Sequence, residues 1–286
     1  MSIREETCAV VVSYNAEKNI YKTILKLSES LKHVYIVDNG SAEASLKVLD
    51  DVCSQFNNVT IKKLYENKGI GYALNLGIEK AKELNCKWLL TMDQDSLINR
   101  DMIVEFGITI RNNPTILSLT PNIIINGLKY NTQDSYVEYA ITSGNLINLS
   151  VFDRIGKYNE DLFIDSVDFD FSLRLRKAGY KILRVSKAVM EHELGEPANI
   201  PKFILKYYTK HSHVRRYYMT RNLLYMWKKY CFSFPKFIFK LSVMQIFIFM
   251  CIPFFDKEPK KSFNYIFRGI KDFFGNKYGK LVECKK

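Results

Sequence analysis

The feature that most constrains the fold is a regular alternation of strand-like and helix-like segments over the first 93 residues. Residues 8–13 (CAVVVS), 33–38 (HVYIVD), 59–64 and 87–93 are short apolar runs of strand character. Between them, residues 17–31, 42–56 and 70–84 place apolar side chains at helical spacing. Repeated β-α-β units predict a parallel sheet with right-handed crossovers and helices on both faces. After Arg100 the alternation loosens. A helix to about residue 112 precedes strand-like stretches at 115–125 and 137–149, a helix at 168–178, and a strand at 181–185. From Pro201 onward the chain reads as helical, aromatic and basic.

Three strands end in polar groups: Ser13-Tyr14-Asn15, Asp38-Asn39-Gly40-Ser41 and Asp93-Gln94-Asp95. Ligands of open α/β sheets bind outside the carboxyl ends of the strands, so these groups converge on one crevice. Asp93 and Asp95 are hard oxygen donors that suit a divalent cation bridging to a diphosphate. Asp38-Asn39-Gly40-Ser41 reads either as a turn or as an acceptor for the ring N–H of a pyrimidine base. Asn67-Lys68-Gly69-Ile70-Gly71 joins the third strand to a helix. Its glycines serve either close packing or the approach of backbone N–H groups to a ligand. It lacks a full G-x-G-x-x-G, which argues against a dinucleotide-binding fold.

Two further constellations carry chemistry. Asp165, Asp168 and Asp170 lie within six residues among aromatic side chains, ahead of Arg174, Arg176 and Lys177. Acidic residues in a first turn suit the helix dipole, but three carboxylates exceed what a cap needs. One of them can deprotonate an acceptor hydroxyl. His192 follows a strand-like run and is either structural or a third, imidazole ligand beside the two carboxylates, which would favour Mn²⁺ over Ca²⁺.

These pieces occur together and in one order: VVVSYN, VDNGS, NKGIGYALNLGIEKA, LLTMDQDS, the stretch from Ser143 to Ile182, and HELG. Over about residues 9–195 the chain resembles the family 2 inverting glycosyltransferases of GT-A fold, and within them bacterial rhamnosyltransferases of surface polysaccharide synthesis. The resemblance implies an α/β catalytic domain over 1–200. Its nucleotide-sugar-binding half spans about 1–96 and its acceptor and base half about 97–200, with a helical basic extension over 201–286. It implies that Asp93 and Asp95 hold Mn²⁺ or Mg²⁺, with His192 completing the site. Asp38 then contacts the donor base, with Ser13 and Asn15 at the same pocket. Asn67, Gly69 and Gly71 border the nucleotide and diphosphate, and Ser143, Gly144 and Asn145 line the donor-sugar side. Asp168 takes the position of the catalytic base, Asp165 that of an acceptor contact. Many members carry two adjacent acidic residues where this chain has Val167-Asp168, so Asp165 and Asp170 compete for the base role. Arg215 to Asn222 (RRYYMTRN) is also similar to the region beyond the core of rhamnosyltransferases.

Charge is distributed unevenly. Residues 202–286 hold 19 Lys/Arg against 4 Asp/Glu, whereas residues 1–201 hold 23 against 26. A near-neutral body with a basic tail points to an anionic partner. The most apolar stretch, residues 237–255, is interrupted by Lys240 and Pro253, leaving about 12 residues, short of the roughly 20 that span a bilayer. Flanking aromatics and lysines suit an interfacial helix on an anionic membrane surface, or a homodimer interface. Six cysteines without a C-x-x-C pair and a start with no apolar signal core suggest a cytoplasmic protein, and the resemblance implies a peripheral place at the inner face of the plasma membrane. The resemblance implies a polyprenyl-diphosphate-linked glycan acceptor and dTDP-rhamnose as donor, with UDP-galactofuranose, UDP-galactose or UDP-glucose as alternatives. The reading from a different class is a nucleic-acid-binding protein using the basic tail, but no nucleic-acid partner is expected, because the tail alternates charge with bulky apolar residues and lacks a recognised motif.

Overall fold

A computed structural model describes residues 2–124, 132–192 and 211–282. After a short helix α1 (Ile3–Glu6), the first half runs β1 (Thr7–Ser13), α2 (Ile20–Ser30), β2 (His33–Asp38), α3 (Glu43–Cys53), β3 (Val59–Lys63), α4 (Ile70–Glu83) and β4 (Trp88–Asp93). These four strands lie parallel in the order β3-β2-β1-β4. The central β1 is apolar almost throughout because both of its faces are covered. β3, at the edge, alternates buried and exposed residues.

The second half adds β5 (Ser96–Ile98), α5 (Met102–Asn112), β6 (Ser118–Ile124), β7 (Ser135–Val137), β8 (Asn145–Asn148), α6 (Ser150–Ile155), α7 (Val167–Lys177) and β9 (Ile182–His192). β8 joins β4 antiparallel, and the sheet continues through β6 and β9 to β5, with β7 on β9. The sheet is therefore parallel in its first half and mixed in its second. One core packs Ile20, Ile24, Leu27, Leu49 and Phe106 on one face. Another packs Leu74, Ile78, Phe171 and Leu175 on the other. Truncating one such residue, Leu27→Ala for example, would remove roughly 2–5 kcal/mol of stability.

Several expected elements shift for identifiable reasons. The single strand expected over 137–149 is two, because the chain turns at Gly144, whose φ is +76° and whose N–H donates to Thr91 O at 2.7 Å. The strand expected over 181–185 runs on to His192 past an irregularity beside Pro121, which has no N–H to give the ladder. β5 and α6 are too short to show a period in sequence.

Three helices follow: α8 (His213–Tyr230), α9 (Pro235–Phe255) and α10 (Pro259–Phe274). Residues 201–210, expected to be helical, lie outside the described residues. α9 is continuous over 21 residues, with mean hydropathy 2.0 in its most apolar window, so neither Lys240 nor Pro253 breaks it. Pro253 falls in the last turn, where its missing N–H frees only one carbonyl. Met226 and Tyr230 of α8 share a cluster with Leu173 of α7 and Phe237 and Ile238 of α9. The C-terminal helices thus dock on the helix that carries Asp168.

Candidate active site

The carboxyl ends of β1, β2 and β4 lie on one rim. In register, Ser13 faces Asp38 and Val12 faces Asp93. Beyond that rim a cleft is lined by Tyr14, Asn39, Asn67, Gly69, Asp93, Gln94, Asp95, Phe163 and Ile164. Gln94, which sequence reading passes over as the spacer between the two acids, ties the rim together. Its Oε1 accepts from Ser13 Oγ at 3.1 Å and Tyr14 N at 2.9 Å, and its Nε2 donates to Tyr14 O.

Asp38 is fully buried and its oxygens are engaged by its own turn. They accept from the N–H groups of Gly40 and Ser41 at 3.1 and 3.2 Å and from the Ser41 hydroxyl. Asn15, at φ +50°, accepts from Ala42 N at 3.0 Å and braces the same turn. Asn39, the next residue after Asp38, reaches the cleft and accepts from Lys68 N at 2.9 Å, while Asn67 accepts from Gly69 N at 3.0 Å.

The glycines answer a packing need. Gly69 sits at φ +89°, and an added Cβ would lie 2.7 Å from Phe163 O. A Cβ on Gly71 would lie 2.9 Å from Asn159 O. The first N–H of α4, at Ile70, donates to Phe163 O at 2.8 Å. The 159–163 segment therefore closes directly on the head of α4.

Ser143 and Asn145 are buried beneath the two acids. Ser143 Oγ accepts from Asp93 N at 3.2 Å and donates to Ser96 Oγ at 2.8 Å, fixing the backbone that presents Asp93. Asn145 accepts from Ser118 Oγ at 3.3 Å. Ile141 and Thr142, just before them, reach a second cleft instead.

That second cleft, about 510 Å³, is within the range of small-molecule sites. Asp165 and Asp168 line it beside Arg215, with an apolar wall from α8 and α9 that includes Met219, Leu223, Leu241 and Ile248. Asp93, Ile70 and Ile164 border both clefts, so the two meet at the Asp93 carboxylate.

The three acids around α7 have different surroundings. Asp170 is fully buried and accepts from Arg174 Nε at 2.9 Å, Lys229 Nζ at 2.8 Å and Tyr230 OH at 2.7 Å. A carboxylate so engaged holds α7 to α8. Asp165 takes a two-pronged contact from Arg215 at 3.0–3.2 Å. Burial raises its proton affinity, and Arg215 opposes that. Among the described residues Asp168 has no such cation. Burial pushes its carboxyl up to about 7, and the charges of Asp165 and Asp93 add to the rise. The Phe169 N–H, donating at 2.9 Å, only partly offsets this. A carboxyl titrating near neutrality beside a cleft is matched to general-base work.

Among the described residues no three His, Cys, Asp or Glu side chains are gathered at metal-ligand distance. Asp93 and Asp95 line one cleft, and His192 pairs in register with Ser96, the residue after Asp95. The His192 imidazole lies outside the described residues. The residue types, two carboxylates and a histidine whose backbone lies one ladder position away, fit the donor set of Mn²⁺ or Mg²⁺.

Comparisons with known proteins agree with this architecture. The chain is 30% identical to dTDP-rhamnosyl transferase RfbF of Shigella flexneri over 247 residues, 77% of this chain and 79% of that protein. It superposes on the mannosyltransferase PcManGT of Pyrobaculum calidifontis, solved with GDP-Man and Mn²⁺, with TM-score 0.58. That match has 13% identity and covers 96% of this chain and 76% of the other. GalNAc-T7, solved with UDP, GalNAc and Mn²⁺, superposes with TM-score 0.57 and 17% identity over 66% of this chain, which spans only 44% of that longer protein. These likenesses establish the GT-A fold. The Glycosyl transferase family 2 model matches residues 8–178, and with the RfbF relationship this places the chain in glycosyl transferase family 2, as a glycosyltransferase.

Proposed function

We propose that the chain transfers rhamnose from dTDP-rhamnose, with inversion, to a hydroxyl of a lipid-linked polysaccharide precursor at the inner face of the plasma membrane. One observation carries the mechanism. Asp93 borders both clefts, with Asp95 on one side of it and Asp168 on the other. A donor diphosphate beside Asp93 and Asp95 would present its sugar carbon to an acceptor hydroxyl held against Asp168. The 30% identity to a dTDP-rhamnosyl transferase supports the donor.

Asp93, Asp95 and His192 would hold Mn²⁺ or Mg²⁺, whose charge stabilises the departing nucleoside diphosphate. Asp168 accepts the proton of the acceptor hydroxyl as that oxygen attacks the anomeric carbon from the opposite face. A single displacement inverts the configuration, so one carboxylate base suffices. Arg215 pairs with Asp165, whereas Asp168 on the same cleft takes no such ion pair among the described residues. Asn39, Asn67 and the Tyr14–Gln94 rim are the polar groups available to the nucleotide. Asp38, Ser13 and Asn15 act one step back, by shaping that rim.

We read residues 1–200 as the domain that holds donor and base, and 201–286 as the extension that walls the acceptor side. On α9, Leu241 and Ile248 face the cleft while Phe239, Ile246, Met250 and Phe254 are exposed. Lysines 228, 236, 240, 257, 260 and 261 lie on or beside this helix in the sequence. An exposed apolar face on a lysine-rich stretch of chain suits an anionic bilayer surface and an amphiphilic acceptor drawn from it.

The test is donor binding and hydrolysis with dTDP-rhamnose, UDP-galactose, UDP-galactofuranose and UDP-glucose, each with Mn²⁺ and with chelator. Metal-dependent selectivity for dTDP-rhamnose is expected. Preference for a UDP-sugar would replace the donor, and binding of none would overturn the assignment.

A further inference from the structure

The RRYYMTRN segment lies on α8, beyond the residues matched by the family model. Three of its strongly polar side chains, Arg216, Arg221 and Asn222, are wholly buried, and the last two act together. Both aim at the loop between Asp161 and Ser166. Asn222 Nδ2 donates to three carbonyls, Leu162 O at 2.9 Å, Ile164 O at 2.8 Å and Asp165 O at 2.9 Å. Two amide hydrogens thus serve three acceptors, one of them shared. Arg221 Nε donates to Asn222 Oδ1 at 3.1 Å, which sets the amide so that its nitrogen faces the loop. The same guanidinium donates to Asp161 O at 3.0 Å, Leu162 O at 3.1 Å and Gly279 O at 2.7 Å.

The loop needs such a hold. Phe163, Asp165 and Ser166 all sit at positive φ, 63–64°, though none is glycine. Phe163, at φ 63° and ψ −63°, forms the rarer γ-turn, with Ile164 N donating to Leu162 O at 2.7 Å. Backbone of this kind persists only where its surroundings over-determine it. The loop also joins the two halves of the site. Phe163 O holds the head of α4 in the donor cleft, and Ser166 starts the helix whose second residue is Asp168. Tyr218, one turn before Asn222, stacks on the Phe163 ring at 5.0 Å and 15°.

We propose that Asn222, oriented by Arg221, is a positioning residue for glycosyl transfer. It locks the Asp161–Ser166 loop in its strained form and so sets the base against the donor cleft. The proposal rests on the reading of Asp168 as the base. It gives a catalytic duty to a tail segment that sequence placed outside the active site.

The experiment compares dTDP-rhamnose hydrolysis by the full chain and by Asn222→Leu, with turnover divided by the number of dTDP·Mn²⁺ sites found by calorimetric titration. Normalising per site removes any misfolded fraction. Asn222→Leu is expected to bind dTDP within about threefold of wild type and to lose about 10–100-fold in kcat, the scale of an ångström-level misplacement. Adding Ser166→Gly to that variant should recover part of the loss, because glycine holds positive φ without the clamp. Ser262→Ala removes a buried hydroxyl bonded to Asp256 on the far side of α8 and should lower stability with kcat unchanged. Should Asn222→Leu fail to accumulate, Asn222→Ser, which keeps one donor, carries the same comparison. A per-site kcat within threefold of wild type in the Asn222 variants, or an equal loss in Ser262→Ala, would overturn the proposal. If wild type hydrolyses another nucleotide sugar, that sugar is used and only the donor is revised. Wild-type turnover in Asp168→Asn would instead sink the base assignment.

Discussion

Replacing Asp168 by Asn is expected to make the protein more stable and nearly inactive, with a pH signature that follows from burial. The folded protein raises this carboxyl from 3.8 to about 7. A group whose folded pKa is raised favours folding in its protonated form. Its contribution is fully present below pH 3.8 and is lost as pH rises through about 7. At pH 8 the ionised, half-buried carboxylate opposes folding; at about 1.36 kcal/mol per pH unit the ceiling is about 4 kcal/mol. Asn keeps the acceptor for the Phe169 N–H and carries no charge. Asp168→Asn should therefore gain on the order of 2–4 kcal/mol at pH 8 and almost nothing at pH 4. The assay is urea unfolding of both proteins in chelator, so that no cation at Asp93 alters the field. Turnover should fall by about 10²-fold or more while nucleotide binding persists. The wild-type rate should show an acid limb at or below about pH 7, since a bound cation pulls the Asp168 titration down. Equal unfolding free energies at pH 8 and pH 4 would refute the burial argument.

Four other perturbations probe separate parts of the protein. Gly69→Ala forces a β-carbon to within 2.7 Å of Phe163 O at φ +89° and should destabilise by roughly 2–4 kcal/mol, measured by denaturant unfolding. Asp170→Ala leaves Arg174, Lys229 and Tyr230 without their shared acceptor and should lose roughly 3–5 kcal/mol; a loss under 1 kcal/mol would show that the network relaxes. Asp95→Ala should abolish the Mn²⁺ dependence of dTDP binding in titration calorimetry with the melting temperature little changed, because its side chain is exposed. Phe239→Glu with Ile246→Glu should release the protein from anionic vesicles in a co-sedimentation assay, whereas neutral vesicles should bind neither form.

Much of the fold was legible because it is written in local periods. Continuous apolar runs such as AVVV mark strands covered on both faces, and the 3.6-residue spacing from Ile70 to Ala81 marks a helix packed on one side. The acids at strand ends were legible for the same reason, since an α/β sheet presents its strand termini to one crevice. The segment from 137 to 149 was not, because its break depends on Gly144 turning under β4, a contact between distant residues.

What the sequence alone determined is the set of chemically able groups and their order along the chain: Asp93-Gln94-Asp95, the acids from 165 to 170, and the basic tail. How each of those groups is surrounded was decided by tertiary packing. Asp38 and Asp170 read as well as Asp95 and Asp168 in sequence. The fold surrounds the first two with donors and leaves the others at the clefts. The tail gave no sign that Asn222 would reach a loop 57–60 residues away. A side chain's partners are set by long-range packing of helices and sheet, whereas its chemical type and local period belong to the chain itself.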